Sequence, residues 1–571
     1  IVGSGGGRPE MNALEVTVSG TATVITSSTD NDIDYLDTPT SNYAVLSPND
    51  YPLVMPTNAN LSYRSSGSGA WQFKRASVAG QSTGKWYWEA RAEGAGASLM
   101  ASIINENFAK NNFPDFYPGQ GSGAGTGGWS LYGSNGLLYR NGVDQVASEG
   151  LAYSTDDILM FALDLENGAW WAGQNGTWYQ SATTSEIEAG TTTNAIDTGT
   201  LTGRFWPGFV AQGGTSNGWD VNFGQMPFIY TQPSGFKAWQ TNNFSEPTIK
   251  NGSDHFQAIT DTGANILTAA QAAFPNGLWW IKDRANSNQH QLVDSVRGGN
   301  LALTVPTKGA QGAYSAPSGN SVAWCWGTNN TGVNTNSGFQ ILTWTGTGAA
   351  QTISHNLDQT KPLDLILVKA YSAGAGATYI NDANWIVWSN GLSDDGFIYF
   401  NLSNAGSTSN GFFNGNPNAT LGSLTVGTDP DTNANPATYG ADYEYVGYVF
   451  QSIPGYSSIG SYTGNGSSDS LGTFIDVGFK PALVWIKGYS NTGNWNMYDT
   501  ARASSNPADN LLIANDSIAE ASPTGQSIDI LSNGFKCRGG NGNINESYSY
   551  IYCAWASNPF GGENVPPATA R

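Results

Sequence analysis

Charge is scarce in this sequence. Only 12% of its 571 residues are Asp, Glu, Lys or Arg, about half the usual share. Positive charge is scarcer still, with 23 Lys and Arg against 44 Asp and Glu and a net charge of −21. Nucleic-acid binding needs clustered Lys and Arg on phosphates, and so does attraction to an anionic membrane surface; the composition disfavours both. No run of about 18 apolar residues occurs, so no stretch reads as a membrane-spanning helix. Residues 1–16, IVGSGGGRPEMNALEV, lack the apolar core of a signal peptide. The chain begins with Ile, which points to processing or to numbering that starts inside a longer protein.

Cysteine and histidine are equally sparse. Three cysteines, Cys325, Cys537 and Cys553, make no disulfide framework; they read as small buried apolar residues. With His255, His290 and His355 the only histidines, no zinc-type spacing exists. No metal or other cofactor is expected, although a loop calcium would suit Asp30-Asn31-Asp32-Ile33-Asp34 or Asp429-Pro430-Asp431-Thr432-Asn433. Both lack the Gly and the distal acid of an EF-hand loop, so solvated turns are the preferred reading. Phosphate-binding loops and a G-x-S-x-G elbow are also missing, which disfavours nucleotide chemistry and a serine nucleophile.

What the sequence does have is glycine (72 residues) and aromatics: 20 Trp, 26 Tyr and 23 Phe. A disordered chain rarely carries so many aromatics, and no Gly-X-Y period is present. One helix is predicted, at 267–274 (LTAAQAAF), ended by Pro275. Elsewhere short apolar runs such as KWYWEAR (85–91), DILMFALDL (157–165), DLILVK (364–369) and PALVWIK (481–487) alternate with Gly, Asn, Ser and Pro clusters. Such spacing reads as all-β.

From about residue 248 the chain repeats itself. LWWIK, LILVK and LVWIK end at Lys282, Lys369 and Lys487, and a Thr-Gly pair precedes each, its glycine 19, 23 and 23 residues earlier. Asp294 and Arg297 follow Lys282 by 12 and 15 residues, and Asp499 and Arg502 follow Lys487 by the same offsets. The middle copy carries a longer loop and has Ser389 where the others have Asp. An aromatic strand closes each copy: SVAWCW to Trp326, YVGYVF to Phe450, YIYCAW to Trp555. These offsets require the same local path in each copy.

Upstream, GKWYWE (84–89), DDILMFALDLENG (156–168), WWAGQNGTW (170–178) and VNFGQMPF (221–228) occur in order. This series resembles the SPRY family, which implies a two-sheet antiparallel sandwich that binds through its loops. The repeats, through HQLVDSVRG (290–298), YTGNG (462–466), GFKPALVWIK (478–487) and SNPFGGENVPPATAR (557–571), resemble units of structural proteins of marine tailed phages. DTPTSNY (37–43) belongs to the same resemblance, which implies a virion protein of a tail fibre or similar appendage with its natural C-terminus at Arg571. The expected fold class is all-β: a SPRY-like antiparallel β-sandwich followed by three repeated β-sandwich-type units. The layout is a lead-in and attachment segment at 1–60, the SPRY-like domain at 61–240, and repeats at 248–337, 338–455 and 456–571 with the C-terminal tail.

Three sets of residues carry candidate chemistry. Trp170, Trp171, Trp178 and Tyr179 flank the Asn-Gly turn at 175–176. Successive strand residues face opposite sides, so Trp170 and Trp171 cannot share one core; an exposed indole would stack on a sugar or anchor an interface. The same aromatics also fit an inter-sheet or inter-domain contact. The repeated set Lys282, Asp294, Arg297, Lys369, Lys487, Asp499 and Arg502 would form anion or sugar sites, or, the favoured reading, structural ion pairs that hold a loop to the sheet. Acid pairs for glycoside hydrolysis would be Asp156/Asp157, Asp164/Glu166, Glu186/Glu188 or Asp394/Asp395, with nothing to bring any pair to a cleft. His290 stands where the other copies have Trp385 and Trp495 and reads as a packed surface residue.

The expectation is a non-enzymatic structural or adhesive protein of a phage virion, outside the cell in the particle. Its expected partners are other copies of itself, with a trimer favoured, other virion proteins and host surface glycan. The Gly-rich first ten residues, IVGSGGGRPE, would need a neighbouring copy to order them. The alternatives are a cell-encoded lectin-like or filament protein, and an appendage enzyme that degrades polysaccharide.

Overall fold

Short strands, many of them buried on both faces, build nearly everything in the computed structural model. It describes residues 42–50, 54–109, 117–120, 126–140, 142–148, 152–199, 201–467, 471–562 and 565. Residues 1–41 of the lead-in, with the Asp30–Asp34 candidate and the ten N-terminal residues, lie outside the described residues. The chain divides into two compact units: 1–247 with 560–567, and 248–559 with 568–571.

The first unit is a two-sheet sandwich. One sheet runs in the spatial order Ser62–Arg64, Gly218–Asn222, Lys85–Glu93, Ile158–Asp164, Ala169–Gln174, Thr177–Trp178, with two short strands added. The other runs Gln72–Arg75, Phe205–Ala211, Leu99–Asn105, Gly128–Tyr132, Leu137–Arg140, Val143–Ser148. Alternation sends Trp86, Trp88, Phe161, Trp170 and Trp219 inward to meet Ile103, Trp129, Phe205 and Phe209 of the facing sheet. Trp88 stacks on Phe161 at 5.3 Å, and Phe209 meets Trp219 at the same distance. The WYWE strand and the VNF strand are direct neighbours, Glu89 opposite Asn222, as one sandwich requires.

The second unit holds all three repeats. Each contributes a sheet that contains four strands in the same spatial order. In the first repeat these are Phe256–Thr262, Asn320–Gly327, Gly277–Asp283 and His290–Asp294. In the second they are Phe339–Thr345, Tyr443–Phe450, Leu365–Ala373 and Ile386–Ser389. In the third they are Ser457–Thr463, Ser549–Pro559, Phe479–Gly488 and Trp495–Asp499. Register is also shared. Leu278, Leu365 and Leu483 lie opposite Trp326, Phe450 and Trp555 on one side, and opposite Asp294, Ser389 and Asp499 on the other. The first strand of each copy ends at the Thr of the Thr-Gly pair. A Cβ on Gly263 would lie 2.0 Å from the Pro317 carbonyl oxygen, and one on Gly464 2.2 Å from that of Glu546, so only glycine fits.

These sheets are not three free-standing sandwiches. Their inner faces point into one common core. At its centre the ring centroids of Trp326, Phe450 and Trp555 lie 6.1, 5.2 and 5.4 Å apart. The outer faces are covered differently. In the first repeat the helix Ile266–Ala273 does it, through Ile266 and Ala270; this is the predicted helix, shifted by one residue. In the second, the pair Gln351–Ser354 and Ser423–Val426 joins Phe412 and Phe413. In the third it is a three-stranded sheet of Phe474–Asp476, Gly534–Cys537 and Ile528–Leu531.

After the third repeat the chain returns to the first unit, where Phe560 is 8% exposed in the sandwich core. Phe560→Ala is therefore expected to destabilise the first unit by about 3–5 kcal/mol and to leave the repeats unaffected. Hydrogen exchange resolved by peptide would show faster opening across 85–93 and 205–211 with unchanged protection of the strands at 277–283 and 479–488.

Candidate functional site

The Lys/Asp/Arg set lies inside the repeat unit. Asp294 Oδ1 accepts from the backbone N–H of Val296 (3.0 Å) and of Arg297 (2.8 Å), and its Oδ2 from Arg297 Nε (2.6 Å). Asp499 repeats the pattern with Ala501 (3.0 Å), Arg502 N–H (2.9 Å) and Arg502 Nε (2.5 Å). All four side chains have no exposure. The structure thus corrects the anion- or sugar-site alternative: no charge in the set is left to meet a ligand.

Each carboxylate takes one further bond, from a neighbouring repeat. Tyr448 of the second repeat donates its hydroxyl to Asp294 of the first at 2.7 Å. Trp324 of the first donates Nε1–H to Asp499 of the third at 2.9 Å, under the Arg502 guanidinium, 5.4 Å from its ring. By register the third donor position is Cys553 and its acceptor position Ser389. Where the acid is missing, the aromatic donor is missing too.

A second ring of bonds runs the same way round. Trp385 of the second repeat donates Nε1–H to the Thr304 carbonyl of the first (3.2 Å), and Trp495 of the third to the Tyr399 carbonyl of the second (3.0 Å). His290 of the first, in the same position, bonds through Nε2 to the Ile513 carbonyl of the third at 3.0 Å. Trp280 Nε1–H donates to His290 Nδ1 at 2.9 Å. A carbonyl only accepts and an indole N–H only donates, so the imidazole is neutral with its proton on Nε2. Burial and the nearby Lys282 charge push the His290 pKa well below its ordinary value. The surface position expected for His290 is wrong: it is fully buried. Its bonds use both ring nitrogens, so it is not a base.

The three lysines close the inner faces, bonded to backbone carbonyls. Lys282 reaches Asp283 and Asn286 (2.6 and 3.1 Å), and Lys369 reaches Ala383 (2.8 Å). Lys487 reaches Gly488, Gly493 and Asn404 at 2.8 Å and Ser403 at 3.3 Å. Burial pushes their pKa values down, to about 8 for Lys282 and about 7 for Lys369 and Lys487.

The tryptophan set is buried as well, so none of its indoles is exposed to stack on a sugar. Trp170 and Trp171 do face opposite sides. Trp170 points into the sandwich core, while Trp171 meets Tyr87, Trp178, Ile187 and Phe236 in a second cluster on the outer face. Trp171 is 1% exposed and Trp178 8%. Trp178 Nε1–H donates to Thr184 Oγ1 at 3.2 Å, and the Tyr179 hydroxyl to Gln174 Oε1 at 3.3 Å. The helix Thr184–Ala189 and the loop carrying Phe236 supply the cover that alternation alone cannot reveal.

The acid pairs hold turns. Asp164, fully buried, accepts from Glu166 N–H, Asn167 N–H and Asn167 Nδ2 and pairs with Lys85 at 3.1 Å. Asp157 takes Ser154 N–H and Asn175 Nδ2. Glu186 completes a capping box with Thr183, Glu188 accepts from Ser234 N–H, and Asp394 from Asn416 Nδ2. Asp429 caps the helical turn Pro430–Asn433. Asp431 there accepts from Tyr379 Oη, Asn384 N–H and Asn384 Nδ2, and with Thr432 and Asn433 it is buried, not in the solvated turn expected. The three thiols are buried and unpaired, with burial raising the pKa of each. The cross-repeat donors Tyr448 and Trp324 escaped the sequence reading. The signal was there: both align with Cys553, in the copy that closes on the repeat without the acid.

Residues 303–559 match a family described as "Domain of unknown function (DUF7483)". Among solved structures the chain is similar to the SPRY domain of human HERC1, with 15% identity over 34% of this chain and 99% of that one (TM-score 0.22). It is similar to the TRIM65 PSpry domain at 14% identity over 32% and 92% (TM-score 0.23), and to a human SPRY domain at 10% over 33% and 99% (TM-score 0.22). No curated protein matches.

Two outcomes are expected of this architecture. Tyr448→Phe removes a buried bond to a carboxylate and should cost about 1–3 kcal/mol, whereas Ser389→Ala, at the position without the acid, should cost less than about 1 kcal/mol; urea midpoints compare them. The lysines supply a pH dependence. Folded, they release protons at about 7 to about 8; unfolded, only near ~10.4. Between these values the unfolded chain binds more protons, so stability rises with pH. Lys369→Met should flatten that rise from about pH 7 upward, read below about pH 8, where unfolded thiols of pKa ~8.5 are still mostly protonated.

Proposed function

We propose that this chain is a non-enzymatic structural and adhesive protein of a phage virion, a subunit of a tail fibre or similar appendage. It works as a homo-oligomer, with three chains favoured, beside other virion proteins and in contact with host surface glycan. One observation supports this reading above others. The most regular charged groups of the chain, Asp294–Arg297 and Asp499–Arg502, are buried and tie one repeat to the next. Repetition here serves a rigid body and not three copies of a reactive centre. The tailed-phage resemblance of the repeats adds the setting. Low charge density, 12%, suits polar packing between subunits.

Immunogold labelling of purified particles tests the proposal. Label on a tail appendage, together with a solution mass that is a multiple of 60.3 kDa, is the expected outcome. Label confined to the cell envelope would overturn it in favour of a cell-encoded surface protein. Release of reducing sugar from host envelope polysaccharide by the purified chain would overturn it in favour of an enzyme.

A further inference from the structure

A cleft of about 400 Å³ opens beside the start of the first repeat, lined by Asp254, His255, Phe274, Asn329, Val333 and Thr335 among others. Its polar groups are oriented from behind. Asn334 Nδ2 donates to His255 Nδ1 at 3.0 Å and to the Gly327 carbonyl at 2.9 Å, while Asn334 Oδ1 accepts from Ser337 N–H at 3.2 Å. His255 Nδ1 therefore accepts, and the proton of the neutral ring is on Nε2. Burial lowers the His255 pKa, which keeps the ring in that neutral state. Asn329 Oδ1 accepts from Thr331 N–H, Thr331 Oγ1 and Val333 N–H, which fixes its Nδ2 as the outward group. Asp254 is exposed and uses Oδ1 for Asn251 Nδ2 at 2.9 Å. Its Oδ2, His255 Nε2–H, Asn329 Nδ2 and the Thr335 hydroxyl have no bond to other described residues, and Phe274 and Val333 form an apolar wall.

The chemistry of this set selects its ligand. No Lys or Arg lines the cleft, and Asp254 repels anions. A metal ion would find one carboxylate, and among the described residues no group of three His, Cys, Asp or Glu could hold one. A charged acceptor, two fixed donors, a hydroxyl and an apolar wall suit an uncharged ring with adjacent hydroxyls on one side and C–H groups on the other. Ligand sites commonly combine an apolar wall with a few placed polar groups in this way. We infer that the cleft binds one neutral hexopyranose unit, with Asp254 accepting from its hydroxyls and His255 and Asn329 donating to them. The inference rests on the glycan contact proposed above and gives it a place and a sugar class.

Saturation-transfer NMR on the full chain tests it, with glucose, galactose, mannose and N-acetylglucosamine each at about 20 mM, enough to reveal millimolar binding. At least one sugar should receive saturation. Asp254→Asn should weaken it about tenfold, the effect of one charge-assisted hydrogen bond. Thr335→Trp, at an exposed position, should fill the cleft and abolish binding. Unchanged thermal midpoints in both variants confirm that the fold is kept. No transfer to any of the four sugars, or binding equal to wild type in both variants, overturns the inference. Labelled virions with a silent cleft overturn the cleft alone; sugar binding by a chain missing from virions upholds the cleft and overturns the virion setting.

Discussion

The mutual contact of Trp326, Phe450 and Trp555 is the constraint on which the repeat unit depends. Three sheets can share one core only if each brings a large ring to the same level, and the three aromatic strands do so at equivalent registers. A buried aromatic of this size removes roughly 150–250 Å² from water, or about 4–6 kcal/mol each at ~25 cal/mol/Å². That driving force has no direction. Direction comes from the polar bonds that encircle the core, second repeat to first, first to third, third to second. Each joins a ring N–H to a carbonyl on the neighbouring sheet, which fixes the rotational setting of one sheet against the next.

The three seams keep this plan with different residues. Between the first and third repeats, Arg284 and Glu520 add a two-bond ion pair (3.0 and 2.7 Å), and Arg502 joins the same carboxylate at 3.0 Å. Between the second and third, where Ser389 and Cys553 leave the charged link out, Lys487 reaches across to the Ser403 and Asn404 carbonyls. Asn390 Nδ2 also donates to the Ile459 carbonyl at 3.2 Å. The acceptors at this seam are backbone carbonyls, which need no complementary acid in the core.

The sequence disclosed what is periodic or repeated and concealed what is closed by distant segments. Equal offsets after Lys282 and Lys487 were enough to place these lysines on equivalent strands, and the ordered SPRY-like motifs placed WYWE and VNF in one sandwich. Opposite facing of Trp170 and Trp171 followed from the pleat. Their burial did not, because Ile187 and Phe236, which cover Trp171, are far from it along the chain and carry no repeat. The shared core was equally hidden: a pattern of inward residues says that a face is buried, not against which sheet. His290 shows the same limit. Its alignment with two tryptophans was legible, while the carbonyl of Ile513 that makes the position a donor site comes from the last repeat. The cleft at His255 had no periodic signal at all, since its residues come from a helix end, a strand start and a turn.

The return of Phe560 to the sandwich bears on the order of events during synthesis. Residues 1–247 and 560–567 form one unit, and between Pro247 and Phe560 the ribosome adds 312 residues. At about 5–20 residues per second this takes roughly 15–60 s. Throughout that interval the sandwich has all its sheet strands but lacks one of its core rings. The repeats can meanwhile form their own core as each sheet emerges. The sandwich, made before the repeats, is thus completed only after them, by the segment that follows the third repeat.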